Sequence, residues 1–360
     1  MNGELLKTPM HAAHLREGAR MVPYAGYEMP VQYSSILTEA KAVREGAGMF
    51  DVSHMARLRL TGPATLDLLE AILTNDVSRL TDGAGLYSLL PNKTGGCVDD
   101  VIVYRISETE YRMVVNAANH GQDVAWIQAE NGGRTVLEDW TDATAMIAVQ
   151  GPAAVETLAK LANNPDGLRQ TQSMHTLDVK ISGITCFAAR SGYTGEDGFE
   201  LVCRADEADA LWTALRSAGV IPCGLASRDI LRVEAGLPLY GHELGADMNP
   251  LSAGVGWAIS KTKSFNGSEL ILPGRTEGLP RKLLGISLEG RRVADPGAPV
   301  YSAGIEIGSV SSGVFSPMLQ RGIALAFVDA ERAPGEPVEV EIRGKREPGA
   351  LVSRRFFRRP

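Results

Sequence analysis

The stretch Thr144-Ala145-Met146-Ile147-Ala148-Val149-Gln150-Gly151-Pro152-Ala153-Ala154-Val155-Glu156-Thr157-Leu158-Ala159-Lys160-Leu161 reads as strand, turn and helix. Residues 145–150 are a short apolar run, Gly151-Pro152 punctuates it, and residues 153–161 read as a helix. Strands over 177–181, 184–190 and 198–203 and a helix over 207–218 extend the pattern. This is an α+β alternation of the split βαβ, or ferredoxin-like, type. Upstream, residues 4–20 and 35–47 read as helices, with an extended piece over 22–33. Residues 56–61 alternate like a half-buried strand, and Gly62-Pro63 opens a helix over 64–73. A β-rich block follows, with strands over 85–90, 97–106 and 111–117 and a turn-rich connection over 91–96. Downstream, residues 259–282 have weak periodicity and suggest a connection. From 282 to about 352, strands alternate with Gly/Pro turns, as in a small all-β barrel or roll.

Composition excludes several classes. A chain of 360 residues is long for one core, so two or three domains are expected. A net charge of −7 argues against non-specific nucleic-acid binding. There is no apolar run long enough for a membrane span, and Met1–Met21 lacks the continuous apolar stretch of a signal peptide. The four cysteines are scattered, which points to a reducing cytoplasm rather than a disulfide scaffold. The six histidines show no ligand spacing; His11 and His14 stand three apart with no acidic partner in the local pattern, so no metal is expected.

Chemistry concentrates in a few places. In Gly95-Gly96-Cys97-Val98-Asp99-Asp100-Val101-Ile102-Val103-Tyr104-Arg105, two carboxylates head a strand-like run. Side chains alternate along a strand, so Asp99 shares a face with Val101 and Val103, and Asp100 with Ile102 and Tyr104. They are a poor acid/base couple, but a carboxylate on such a face needs a partner, a ligand or solvent. Gly192-Tyr193-Thr194-Gly195-Glu196-Asp197-Gly198-Phe199-Glu200 is a tight glycine-rich loop leading into a strand. Glu200, between Phe199 and Leu201, either faces water or accepts a pair of hydrogen bonds from an amidine-like edge such as a pterin or a guanidinium. In Gly224-Leu225-Ala226-Ser227-Arg228-Asp229, Ser227 reads as an N-cap and Arg228 as a first-turn residue, where the helix dipole disfavours positive charge. Arg228 either pairs with Asp229 or another carboxylate, or binds a substrate carboxylate. Asn116 and Asn119 each read as a cap or a ligand contact, with the cap preferred for Asn119. Tyr87 and Tyr193 fit equally as core aromatics with a bonded hydroxyl.

Together these pieces resemble the aminomethyltransferase (T-protein) family of the glycine cleavage system. The matching stretches are Gly48–Met55, Gly95–Arg105, Val114–Asn119, Ser191–Glu200, Gly224–Asp229 and Leu239–Gly241, in the family's order, with Gly26–Pro30 in addition. The resemblance implies three domains around a central folate site. These are a folate-binding region over 1–270 (1–52 with 140–245 ferredoxin-like, 53–139 with part of 246–270 β-rich) and an all-β barrel over 280–360. It implies transfer of the methylene of an aminomethyl group, carried on the lipoyl arm of H-protein, to tetrahydrofolate, with release of ammonia. By position Asp100 matches the family's catalytic carboxylate. Tyr87, Asn116 and Tyr193 match folate-pocket residues, Glu200 and Arg228 its polar binding residues, and Phe356, beside Phe357, a C-terminal contact where tyrosine is more usual. The donor carbon lies between sulfur and nitrogen, so cleavage of either bond develops positive charge that a fixed aspartate would stabilise.

Two other functions stand beside this one. A folate-dependent demethylase acting on S-, O- or N-methyl donors would share the pocket residues, and the closeness of the match along the whole chain favours glycine cleavage. A non-catalytic folate-binding protein of iron–sulfur assembly would carry a K-G-C-Y-x-G-Q-E motif, where this chain has Ser-Gly-Tyr-Thr-Gly-Glu at 191–196.

Overall fold

In the computed structural model, which describes residues 4–359, the 144–161 stretch is a strand followed by a helix. The first three residues of the stretch expected to lack a signal peptide lie outside the described residues. Thr144–Gln150 is buried from its second residue on, and Ala154–Leu161 packs its apolar side inward. The strand lies inside a six-stranded sheet ordered Thr176–Ile181, Ile184–Ala189, Gly198–Arg204, Thr144–Gln150, Gly48–Asp51 and Ile221–Pro222. Neighbours are antiparallel except the last pair, which is parallel. Helix Ala208–Ser217 contributes Leu211, Trp212 and Leu215 to the same core as Ile147, Leu158 and Leu201. Each such side chain contributes about 1.5–3 kcal/mol through burial.

The helix expected over 4–20 is much shorter, His11–Arg16. Gly18, at φ 71°, ends it by closing the Ala19 N–H onto the His14 carbonyl (3.0 Å). Arg20–Tyr24 then pairs with Tyr27–Gln32 as a hairpin, in place of a single extended piece. The two histidines do have acidic partners, supplied by tertiary structure. His11 Nε2 lies 2.7 Å from Glu28 and His14 Nε2 lies 2.8 Å from Asp51. Asp51 also accepts from Thr8 Oγ1 (2.6 Å) and the Ser53 N–H (2.8 Å). Burial alone would raise the Asp51 carboxyl, and these donors more than reverse it, leaving it below its ordinary value.

A five-stranded sheet is ordered Gly85–Pro91, Cys97–Ser107, Glu110–Val115, Ala56–Thr61 and Val136–Asp139. From Arg281, six strands close a barrel in the order Arg281–Leu288, Arg321–Asp329, Ile305–Ser316, Pro299–Ser302, Pro337–Ile342 and Lys345–Val352. The last pairs back onto the first, Gly285 opposite Val352. Inward residues such as Ile286, Val300, Ala326 and Val340 fill it. The segment expected as a plain connection carries the short helix Ser268–Ile271 and a 3₁₀ turn over Leu272–Arg275. Among the described residues, no helix is long and apolar enough to cross a membrane.

The chain divides into two compact units. One runs up to Leu69 and adds Val77–Tyr87 and Val101–Arg228; the other holds Glu70–Asp76, Ser88–Asp100 and everything from Asp229 onward. The first contains the six-stranded sheet, and the second contains the barrel.

Candidate active site

In the second unit, the approach to Asp100 is fixed by a turn that only glycine permits. Asn92 Oδ1 accepts from the Thr94 N–H (2.9 Å), the Thr94 hydroxyl (2.9 Å) and the Gly96 N–H (3.0 Å). A Cβ on Gly96 would lie 1.9 Å from the Ala246 carbonyl oxygen, so no larger residue fits. The Cys97 N–H donates to the Gly245 carbonyl (3.1 Å), and the Tyr240 hydroxyl donates to the Cys97 carbonyl (3.1 Å). The two carboxylates that follow differ in exposure as strand alternation requires: Asp99 is fully buried and Asp100 is half-buried. Of the two, Asp100 is the one with exposed surface. Burial and then the Asp100 charge hold the Cys97 thiol well above its ordinary value, so it is no nucleophile.

In the first unit, the glycine-rich loop is anchored on Gln150, the last residue of strand Thr144–Gln150. Gln150 Nε2 donates to the Ser191 carbonyl (2.9 Å) and its Oε1 accepts from Thr194 Oγ1 (2.8 Å). The amide sits where a Cβ on Gly192 would lie, 1.9 Å from Oε1. Arg44, buried, ties the far side of the loop through the Thr194 carbonyl (2.8 Å) and Glu196 (2.9 Å). Glu200 is 6% exposed. Its Oε2 accepts from Ser191 Oγ at 2.5 Å, and Ser191 Oγ accepts from the Tyr104 hydroxyl at 3.0 Å. Glu200 Oε1 has no partner among the described residues.

Arg228 is presented by helix Leu225–Ala235, which begins three residues earlier than a cap at Ser227 would place it. Ser227 is inside the helix and donates its hydroxyl back to the Gly224 carbonyl (2.8 Å), so it is not the N-cap. The acceptor at the helix start is Glu39, whose carboxylate takes the Gly224 N–H (2.8 Å) and, from the other oxygen, the N–H groups of Tyr33 (2.7 Å) and Ser34 (2.8 Å). The Arg228 guanidinium lies over the Tyr193 ring, 5.0 Å from its centroid. Its Nη1 is buried with no hydrogen-bond partner among the described residues. His54 has the same property at Nδ1. Its ring meets those of Tyr24 (5.6 Å) and Tyr27 (6.5 Å) edge-on. Burial dominates and lowers its imidazole to about 4; the Asp51 charge pulls the other way, and the charges of Arg228 and Arg57 add to the lowering.

Tyr87 and Asn116 are half-buried on the first unit, Asn116 at the head of the 3₁₀ turn Ala117–Asn119. Neither Asn116 nor Asn119 makes a side-chain cap bond. Phe356, on the second unit, hangs its N–H on the Glu234 carbonyl (3.0 Å) and sets its ring where a Cβ on Gly285 would be, 2.7 Å from Cζ. Within the first unit the structure brings Tyr193 to Arg228, and Glu200 to Ser191 and Tyr104. The last two residues, with His54 and Gln150, carry no individual role in the sequence reading. Among the described residues, no group of three or more His, Cys, Asp or Glu is placed to hold a metal ion.

Residues 10–263 match the GCVT N-terminal domain, and residues 281–358 match the glycine cleavage T-protein C-terminal barrel domain. The chain belongs to the glycine cleavage T-protein family. It is 44% identical to an aminomethyltransferase of Symbiobacterium thermophilum, over 100% of this chain and 99% of that protein. An aminomethyltransferase of Thermus thermophilus is 46% identical over 96% of this chain and 97% of its own length. The crystal structure of the glycine cleavage system aminomethyltransferase T from Bartonella henselae superposes with a TM-score of 0.90 at 32% identity, covering 98% of each chain. The chain is thus an aminomethyltransferase, an enzyme that moves one-carbon units.

For a T-protein-family enzyme, the three spare groups in the first unit have complementary chemistry. Glu200 is an acceptor, Arg228 a fixed cation with a free donor, and His54 a neutral imidazole at physiological pH. Tyr104 and the buried cysteines have their ionised forms disfavoured by burial, so they do not compete as nucleophiles or bases.

Proposed function

We propose that this enzyme takes the methylene of an aminomethyl group from the lipoyl arm of a partner H-protein to tetrahydrofolate, releasing ammonia and leaving methylene-tetrahydrofolate. Two tetrahydrofolate nitrogens bond to the carbon as its bonds to sulfur and nitrogen break, the lipoyl sulfur leaving as a thiol and the amine as ammonia. Asp100 is the catalytic carboxylate: half-buried at the head of its strand, it stabilises the positive charge that develops at the donor carbon. Glu200 accepts from the N–H edge of the pterin, and Arg228 donates to the carboxylate end of the folate. Tyr87, Asn116, Tyr193 and Phe356 line the folate. Residues 1–270 carry the folate-binding region and 280–360 the barrel domain. The observation that carries the reading is the spare hydrogen-bonding capacity held at Glu200 and Arg228, which a folate matches at both ends.

The test is a reconstituted assay with loaded H-protein and tetrahydrofolate, reading ammonia release. Asp100→Asn keeps shape but removes the charge. It is expected to lower kcat by on the order of a hundredfold or more while leaving the tetrahydrofolate Kd within about twofold. Parallel loss of binding and turnover would make Asp100 a binding residue and refute the catalytic assignment.

A further inference from the structure

Glu200 is buried among apolar neighbours, and a carboxylate in that position is useful to a ligand only if it is held at a fixed angle. Three features of the first unit supply that constraint. Ser191 donates its hydroxyl to Glu200 Oε2 at 2.5 Å. A hydroxyl has one proton, and the acceptor-only carboxylate takes that of Ser191, so Ser191 Oγ can only accept from the Tyr104 hydroxyl, at 3.0 Å. Both hydroxyls are in turn fixed by packing and by the backbone. Tyr104 is 1% exposed; its ring meets Phe187 edge-on at 5.9 Å and fills the space a Cβ on Gly85 would need, 2.3 Å from Tyr104 Cδ1. The Ser191 carbonyl is held by Gln150 Nε2 (2.9 Å) and its N–H by the Ala189 carbonyl (2.9 Å). Burial and the neighbouring Glu200 charge push the Tyr104 phenol well above its ordinary value, so it remains a donor at any working pH.

We propose that Tyr104 and Ser191 are positioning residues, a hydroxyl relay running from the buried Tyr104 through the half-buried Ser191, that locks the Glu200 carboxylate through Oε2 and presents Oε1 as the acceptor for the N–H edge of a reduced pterin. This rests on the reading of Glu200 as a folate contact. The relay acts on folate affinity and not on the donor side. It follows from residue choices scattered over the chain: a tyrosine four residues after Asp100, a glycine opposite it, and a serine just before the glycine-rich loop.

The experiment is calorimetric titration of tetrahydrofolate into the full-length enzyme, with steady-state kinetics beside it, for Ser191→Ala, Ser191→Thr, Tyr104→Phe and Glu200→Gln. Ser191→Ala is expected to raise the tetrahydrofolate Kd and KM about tenfold, because a charge-assisted hydrogen bond is lost. Tyr104→Phe, one bond further away, is expected to raise them about threefold. Ser191→Thr keeps the hydroxyl and should return both to within about twofold of wild type, a rescue that a purely structural role does not give. The KM for loaded H-protein should stay within about twofold in all three. Wild-type folate affinity in Ser191→Ala with weakened binding in Glu200→Gln overturns the relay and leaves the folate reading standing. Wild-type affinity in Glu200→Gln overturns the folate reading itself. Should Ser191→Ala fail to fold, Tyr104→Phe, which deletes a single oxygen, decides on the same criteria.

Discussion

His54 predicts an acid sensitivity that a single substitution removes. The ring is 4% exposed, its Nδ1 has no partner, and it is lowered from 6.5 to about 4 in the folded protein. The groups facing it are Asp51, which favours protonation, and Arg228 and Arg57, which oppose it. In the unfolded chain it regains its ordinary value, so between the two values the unfolded state binds more protons than the folded one. Stability therefore rises with pH in that window and is lost as pH falls. The loss begins near 6.5 and is complete below about 4. Integrating the difference gives about 2 kcal/mol by pH 5 and about 3 kcal/mol below pH 4. The assay is urea unfolding of wild type and His54→Asn at pH 7 and pH 5. Carboxylates and other histidines titrate alike in both proteins and cancel in the comparison. Wild type is expected to lose about 2 kcal/mol more than the variant over this interval. An equal loss in the two, or an NMR titration of the His54 ring with a midpoint near 6.5, would refute the reasoning.

Other positions give equally direct tests. Glu243, fully buried, accepts from Arg232 Nη1 (3.0 Å), Ser311 (2.5 Å) and Ser312 (2.7 Å). Glu243→Gln leaves the buried guanidinium without its buried counter-charge and should cost about 3 kcal/mol in urea unfolding; a double replacement, Arg232→Met with Glu243→Leu, should cost clearly less. Gly96→Ala drives a methyl onto the Ala246 carbonyl, which must move; a loss of about 1–3 kcal/mol together with reduced kcat is expected, and wild-type melting and turnover would contradict the packing argument. Arg228→Ala removes the guanidinium whose buried Nη1 has no hydrogen-bond partner among the described residues, and should raise the tetrahydrofolate Kd about tenfold with little change in kcat at saturation, which titration reads directly.

Where the sequence spoke through periodicity, it was readable to within a residue or two. The 145–150 strand, the 153–161 helix and the run of barrel strands after 282 carry apolar patterns that survive any tertiary context. The pattern over residues 4–20 runs past the helix His11–Arg16 because it contains good helix formers and the stop, Gly18, acts through its backbone. His11 and His14 looked unpartnered because their carboxylates, Glu28 and Asp51, are 17 and 37 residues away along the chain. The position of Asp100 relative to Asp99 followed from strand alternation alone and needed no contact information. The shift of Ser227 from cap to helix interior did need it, since the acceptor at that helix start is Glu39, an element removed by the whole first half of the chain.

What no periodicity reveals is which buried polar groups have capacity left over. Asp51, Glu39 and Glu243 are all fully or almost fully buried, and each is saturated: Asp51 by three donors, Glu39 by backbone N–H groups on both oxygens, Glu243 by a guanidinium and two hydroxyls. Such groups specify the fold, and their removal is felt in stability. Glu200 and Arg228 are built into equally fixed surroundings yet each keeps one atom unmatched. A folded protein tolerates an unmatched buried donor such as Arg228 Nη1 at a cost of about 1–3 kcal/mol, so its retention is explained when a ligand supplies the missing partner; Glu200 Oε1 offers a ligand an acceptor without that cost. On this criterion Glu200→Gln should leave the urea midpoint of the free enzyme nearly unchanged while weakening tetrahydrofolate binding, the reverse of Glu243→Gln. If both substitutions instead lower stability alike and neither alters folate affinity, saturation does not separate structural from functional carboxylates in this enzyme.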